Sequence, residues 1–132
     1  MTLLVPPGGT VGILGGGQLG RMMALAAARL GIAAHVYDPS ASGPGAQVTL
    51  TNTVAAFDDA AALQAFAKSV DVVTYEFENI PDAALDIIEP HAPIRPGRNA
   101  LVTSQDRLTE KSFLVELGLG AVDGFKRRGA ET

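Results

Sequence analysis

Thr10-Val11-Gly12-Ile13-Leu14-Gly15-Gly16-Gly17-Gln18-Leu19-Gly20-Arg21-Met22-Met23 carries the fold in the order of its residue types. The run from Thr10 to Leu14 is short, apolar and bounded by glycines, which is the pattern of a strand buried in a parallel sheet. From Gln18 to Leu30 the apolar residues Leu19, Met22, Met23, Ala26 and Leu30 recur at three- and four-residue steps. That spacing predicts an amphipathic helix with those residues on its apolar face, ending at Gly31.

Reading outward, Ala33 to Tyr37 is a second strand, and the turn-rich Asp38 to Gly45 leads to a third over Val48 to Ala55. Asp58 or Asp59 can cap a helix that places Leu63, Phe66, Ala67 and Val70 on one face. Asp71 to Tyr75 is the next strand. Pro81 suits the first turn of a helix carrying Ala84, Leu85 and Ile88, and a segment around Ile94 completes the sheet. Strands alternating with helices of about ten residues specify βαβ units and right-handed crossovers. The expected fold is therefore α/β, a Rossmann-like doubly wound parallel sheet over residues 1–98. Asn99 to Leu117 reads as helical, with Phe113, Leu114 and Leu117 placed to pack back, so 99–120 is expected to be a helical connector. The tail 121–132, with Lys126-Arg127-Arg128 and few apolar residues, is expected to be disordered.

The composition narrows the function. A chain of 132 residues with 47% hydrophobic and 18% charged residues is large enough for one buried core. A net charge of -4 repels a polyanionic backbone, so no nucleic-acid partner is expected. The absence of cysteine excludes disulfides, thiolate metal sites and cysteine nucleophiles. Met22 to Leu30, the longest nearly apolar stretch, is broken by Arg29 and is far shorter than the ~18 residues that span a bilayer. The amino terminus lacks the basic and apolar regions of a signal peptide, so a cytoplasmic protein with no membrane partner is expected.

Gly15-Gly16-Gly17-Gln18-Leu19-Gly20 satisfies G-x-G-x-x-G between a strand and a helix. Gly15 permits the tight turn, Gly17 lets a ligand approach the backbone, and Gly20 lets helix pack closely on strand; the exposed helix amino terminus favours a phosphate. Asp38, at the end of the second strand, stands where a dinucleotide-binding domain places its ribose-hydroxyl acceptor. A nicotinamide-cofactor oxidoreductase domain is therefore one reading. A different phosphorylated ligand is another, and a plain βα turn followed by a loop aspartate is the bland one.

Tyr75-Glu76-Phe77-Glu78-Asn79 puts two carboxylates and an amide at the carboxyl end of an inner strand, the edge at which open α/β sheets bind ligands. Of the two carboxylates, Glu76, directly after the strand, is the candidate ligand contact. A merely solvated loop acid is the competing reading. Arg107 and Lys111 lie one helical turn apart, where two cations could meet a nucleotide phosphate or pair along a solvated face. His35 and His91 stand alone and read as ordinary surface or strand-edge residues; no metal site is expected. No Ser-His-Asp set, zinc pattern or Walker loop is present, so no catalytic residue is assigned in this chain.

Three segments taken together resemble the carboxyaminoimidazole ribonucleotide synthetases, ATP-grasp ligases of purine biosynthesis: Gly12 to Met23, Asp71 to Asn79, and Gln105 to Lys111. Tyr37-Asp38-Pro39 and Ala46-Gln47-Val48 are similar too, so the likeness runs from about Thr10 to Leu119. It implies a Rossmann-like domain that binds no dinucleotide and contributes to the ribonucleotide site, with Gly17, Gln18, Leu19 and Glu76 at the substrate. Arg107 matches a position that touches ATP in related ligases, with Lys111 beside it. The complete enzyme would use ATP and magnesium to activate bicarbonate as carboxyphosphate, then carboxylate the exocyclic amine of aminoimidazole ribonucleotide, and would be a homodimer. The family's flexible glycine-rich loop over ATP and its magnesium carboxylates have no counterpart here, and the likeness fades around Gly118-Leu119-Gly120. The chain is therefore expected to be inactive alone, as a substrate-binding part joined by its connector to an ATP-grasp domain. A non-catalytic ribonucleotide-binding or dimerisation module is the further alternative.

Overall fold

Successive residues of a strand face opposite sides of a sheet, and in this chain each side meets a different helix. β1 (Thr10–Leu14) pairs in parallel with β2 (Ala33–Asp38), Ile13 opposite Val36. Ile13, Ala34 and Val36 fall on one side, where they form a buried cluster with Ala24 of α1 (Gln18–Arg29), flanked by Val11 and Met23. His35 and Tyr37 fall on the other side. There the Phe66 ring of α2 (Ala60–Lys68) lies edge-on, 5.3 Å from the His35 ring and 5.2 Å from that of Tyr37. One helix on each side makes the sheet doubly wound.

The computed structural model describes residues 5–118, apart from the side chains of residues 107–109. The tail 121–132, expected to be disordered, lies outside the described residues. The sheet is all parallel in the order β3-β2-β1-β4, with β3 at Thr51–Val54 and β4 at Val72–Tyr75. Ile94 adds the expected last rung as an isolated parallel bridge to Val73. β3 is shorter than the Val48 to Ala55 span predicted. Val48 packs against the α1 cluster instead, while Thr49 donates its hydroxyl to the Gly45 carbonyl and to Asn52, so local side-chain bonds replace ladder bonds at that end.

Asp59 is the residue that caps α2, accepting the Ala62 N–H at 3.1 Å. The predicted inner face of α2 is buried: Leu63, Phe66, Ala67 and Val70. Pro81 stands at the cap position of α3 (Asp82–Ile88), whose Ala84, Leu85 and Ile88 are also buried.

Of the predicted inner face of α1, Met23 packs half-buried against the Ala24 cluster, and most of the rest does not face the sheet. Leu19, Met22 and Leu30 are 58%, 63% and 68% exposed, and the buried positions are Gly20 and Ala24. The glycine turn draws the start of this helix so close to the sheet that Gly20 and Ala24 are what fits directly beneath it, with Leu19, Met22 and Leu30 turned outward.

The chain divides into two compact units at Pro96–Gly97. The second holds α4 (Arg98–Ser104) and α5 (Arg107–Glu116). Phe113 and Leu117, expected to pack inward, are 44% and 59% exposed.

Candidate functional site

The site begins where β1 runs out. Leu14 is followed by Gly15, whose φ of +106° is a left-handed conformation that side chains rarely tolerate. There the chain turns sharply, its Gly15 N–H donating to the Tyr37 carbonyl at 2.9 Å, and enters α1 through Gly16 and Gly17. Gly17 occupies the cap position and brings no side chain to it. The first-turn N–H groups of α1 must therefore find acceptors elsewhere.

Glu76 supplies them. β4 pairs with β1 up to Tyr75 opposite Leu14, and the Glu76 N–H continues the ladder to the Leu14 carbonyl at 3.1 Å. That register sets Glu76 over the turn, and its half-buried side chain reaches down to it. One carboxylate oxygen, Oε1, accepts the Gly17 N–H at 2.9 Å, and Oε2 accepts the Gly20 N–H at 2.6 Å. Short, charge-assisted bonds of this kind are stronger than neutral ones, and the positive end of the helix dipole adds to them. A Cβ at Gly20 would lie 2.6 Å from the Gly15 carbonyl oxygen and 3.0 Å from Glu76 Oε2, so only glycine permits this approach.

Asp38 does the same from the other neighbour of β1. Its Oδ2 accepts the Gly16 N–H and its Oδ1 the Ser40 N–H, both at 2.8 Å. The Gly45 N–H then bonds the Gly16 carbonyl at 2.8 Å, folding the segment after β2 over the turn. The sequence suggests Asp38 as a ribose acceptor; in the fold both its oxygens already hold backbone N–H groups. Its role as a loop anchor was recoverable only by knowing that β2 and β4 flank β1, which brings Asp38 and Glu76 to opposite sides of one turn.

The candidate substrate residues Gly17 and Glu76 are thus in direct contact. Gln18 and Leu19 stand exposed on the first turn of α1, next to them in the chain. Arg21, one turn on, donates from its guanidinium to Gln47 Oε1 at 2.9 Å. Glu78 and Asn79 are exposed. The candidate ATP residues are in the second unit, where Arg107 opens α5 and Lys111 follows one turn later, half-buried. Among the described residues no three His, Asp or Glu side chains gather as metal ligands.

Behind the turn lies an aromatic cluster. Tyr37 sits between Phe66 and Phe57, and Phe57 meets Phe77 edge-on at 5.4 Å. The Tyr37 hydroxyl donates to the Ala56 carbonyl at 2.5 Å. Burial, followed by the charges of Asp59 and Asp58, pushes that hydroxyl up to about 12. Burial likewise raises Tyr75. His35 is not at a strand edge but on an inner strand, half-buried beside Phe66, with Nε2 2.7 Å from Thr53 Oγ1; desolvation lowers its pKa.

A parallel sheet of order 3-2-1-4, with a glycine turn at its carboxyl edge closed by the chain's own carboxylates, defines a nucleotide-type α/β domain whose helix amino terminus is already occupied. Residues 9–105 match the ribonucleotide synthetase preATP-grasp domain, and the chain belongs to that family. It is 52% identical over 113 residues to N5-carboxyaminoimidazole ribonucleotide synthase of Brucella melitensis, covering 86% of this chain and 31% of that protein. A solved ADP complex of N5-carboxyaminoimidazole ribonucleotide synthetase superposes with a TM-score of 0.86 at 48% identity, covering 92% of this chain and 32% of the other. The Aspergillus clavatus N5-carboxyaminoimidazole synthase in complex with ADP and 5-aminoimidazole ribonucleotide gives a TM-score of 0.73 at 34% identity, covering 83% and 30%. The chain thus spans less than a third of the length of these relatives.

Proposed function

We propose that this chain is the amino-terminal, substrate-side part of an ATP-dependent ligase that carboxylates aminoimidazole ribonucleotide with bicarbonate in purine biosynthesis, working in the cytoplasm as a homodimer. The observation that carries this reading is the 52% identity to the Brucella synthase across 86% of the chain. The geometry supports it against the dinucleotide alternative. A nicotinamide dinucleotide needs the loop N–H groups for its pyrophosphate, and here those of Gly16, Gly17 and Gly20 are engaged by Asp38 and Glu76.

Gly17, Gln18, Leu19 and Glu76 are the proposed substrate contacts. Each carboxylate oxygen of Glu76 holds one N–H group and retains acceptor capacity. It therefore suits the donor groups of the ribonucleotide, its hydroxyls or amine, and repels the phosphate. Gln18 offers both a donor and an acceptor at the exposed turn.

Arg107 and Lys111 are proposed to meet ATP. Magnesium fits no cluster among the described residues, where no three His, Asp or Glu side chains gather. We assign it to the ATP-grasp part of the enzyme. Phosphoryl transfer depends on metal and phosphate clamps for its electrostatic stabilisation, so the chain alone is expected to turn over no ATP. Calorimetric titration of the purified chain with aminoimidazole ribonucleotide and with NADH separates the readings: heat from the ribonucleotide alone is expected, and saturable NADH binding overturns the assignment. An ATPase assay with bicarbonate and the ribonucleotide checks the second claim, which turnover by the 132-residue chain would refute.

A further inference from the structure

In a dinucleotide fold the G-x-G-x-x-G turn is an anion receptor: the N–H groups opening the helix point at a pyrophosphate, and the missing side chains let it approach. This chain keeps the pattern and places an anion there permanently. The Gly17 and Gly20 N–H groups end on the two oxygens of Glu76 at 2.9 and 2.6 Å, and the Gly16 N–H ends on Asp38 at 2.8 Å. The space above the turn is filled as well, since a Cβ on Gly17 would lie 2.7 Å from Glu76 Oε1. Glu76 is not free to drift from this position, because its own N–H is tied to the Leu14 carbonyl as the last rung between β4 and β1.

We propose that Glu76 is a positioning and specificity-determining residue: its carboxylate stands in for the phosphate of a dinucleotide fold. It fixes the first turn of α1, and with it Gln18 and Leu19, while barring pyrophosphate groups from the glycine loop. A phosphate entering the loop would have to displace a tethered carboxylate while facing the like charge of Asp38. The phosphate of any ligand at this edge is therefore directed away from Gly16, Gly17 and Gly20, and the exposed turn at Gln18 and Leu19 is what remains for recognition.

The test needs no ribonucleotide, so its failure and the failure of the substrate assignment are distinguishable. In the 15N-labelled full chain, the Gly16, Gly17 and Gly20 amide resonances are followed while inorganic pyrophosphate is added to millimolar concentration. They are expected to stay in place. In Glu76→Ala the Gly17 and Gly20 amides are expected to exchange with solvent at least about tenfold faster, and to shift saturably with pyrophosphate. Glu76→Gln, which keeps the shape and one acceptor oxygen, is expected to restore protection at only one of the two amides. A general loss of folding would not yield that split, and if the alanine variant fails to fold, the glutamine variant and the wild-type titration carry the test. Saturable shifts of Gly17 and Gly20 in the wild type overturn the proposal. So does unchanged exchange in Glu76→Ala, or a folded Glu76→Ala chain that ignores pyrophosphate.

Discussion

Helices α1 and α2 cover opposite sides of the same sheet, and they do so by opposite means. α2 packs with bulk: Phe66 and Leu63 are fully buried, and the face expected from its apolar spacing is the face observed. α1 packs with smallness: Gly20 and Ala24 lie against the sheet while Leu19, Met22 and Leu30 are turned outward. Apolar periodicity locates a buried face when the helix stands at the usual distance from its sheet. It fails when a backbone turn pulls the helix in closer.

If this contrast is right, the largest effect should come from α2. Phe66→Ala removes the ring that touches both His35 and Tyr37, and chemical denaturation is expected to show a loss of about 3–5 kcal/mol. Gly20→Ala tests α1 from the other direction. The added methyl meets the Gly15 carbonyl, and overpacking of about 1–3 kcal/mol is expected to outweigh the roughly 1 kcal/mol helix-propensity gain of alanine. An alanine variant more stable than the parent would mean that α1 is not held close. Glu76→Gln should cost about 1.5–3 kcal/mol, the range for hydrogen bonds to a charged group, read from the same denaturation curves.

His35 gives a milder, pH-dependent effect. Burial on the α2 side lowers its pKa below the ordinary 6.5, so the unfolded chain takes up the proton first on acidification. Its contribution is fully present above about pH 6.5 and is lost as pH falls toward the folded value, with a slope no steeper than about 1.4 kcal/mol per pH unit. Stability measured from pH 7.5 down to 5.5 should fall less in His35→Gln than in the parent, and parallel curves would remove the histidine from the account. The smallest effect is expected on the outer face of α1. Met22→Ser should change stability by no more than about 0.5 kcal/mol, and a loss several times larger would show that the exposed stripe is packed after all.

Much of the fold could be read from residue order because each strand is short, apolar and followed by a recognisable turn or cap. The glycine turn, the Asp59 cap, the inner face of α2 and the final rung at Ile94 all rest on local signals. What the residues could not reveal depended on distance between elements. The true inner face of α1 follows from how closely Gly20 approaches Gly15, contacts of a kind no spacing rule encodes. The shortening of β3 follows from Thr49 and Asn52 bonding locally. At the site, the sequence singles out Gly17 and Glu76 but places the carboxylate beside a ligand held by the loop, whereas the fold seats it on the loop itself. That distinction needs the parallel register of β1 and β4, which is a matter of topology rather than composition.

The bridge at Ile94 has a consequence for how the molecule meets its neighbours. A parallel sheet ends in two rows of unsatisfied peptide groups, and such rows recruit foreign strands. On the β4 side, Val73 donates to the Pro93 carbonyl at 2.8 Å and accepts from Arg95 at 2.9 Å, so a single rung stitches the hem at its middle. Proline on either flank, at positions 93 and 96, has no N–H to offer a newcomer. The fringe is finished off by a few residues that cannot themselves be extended.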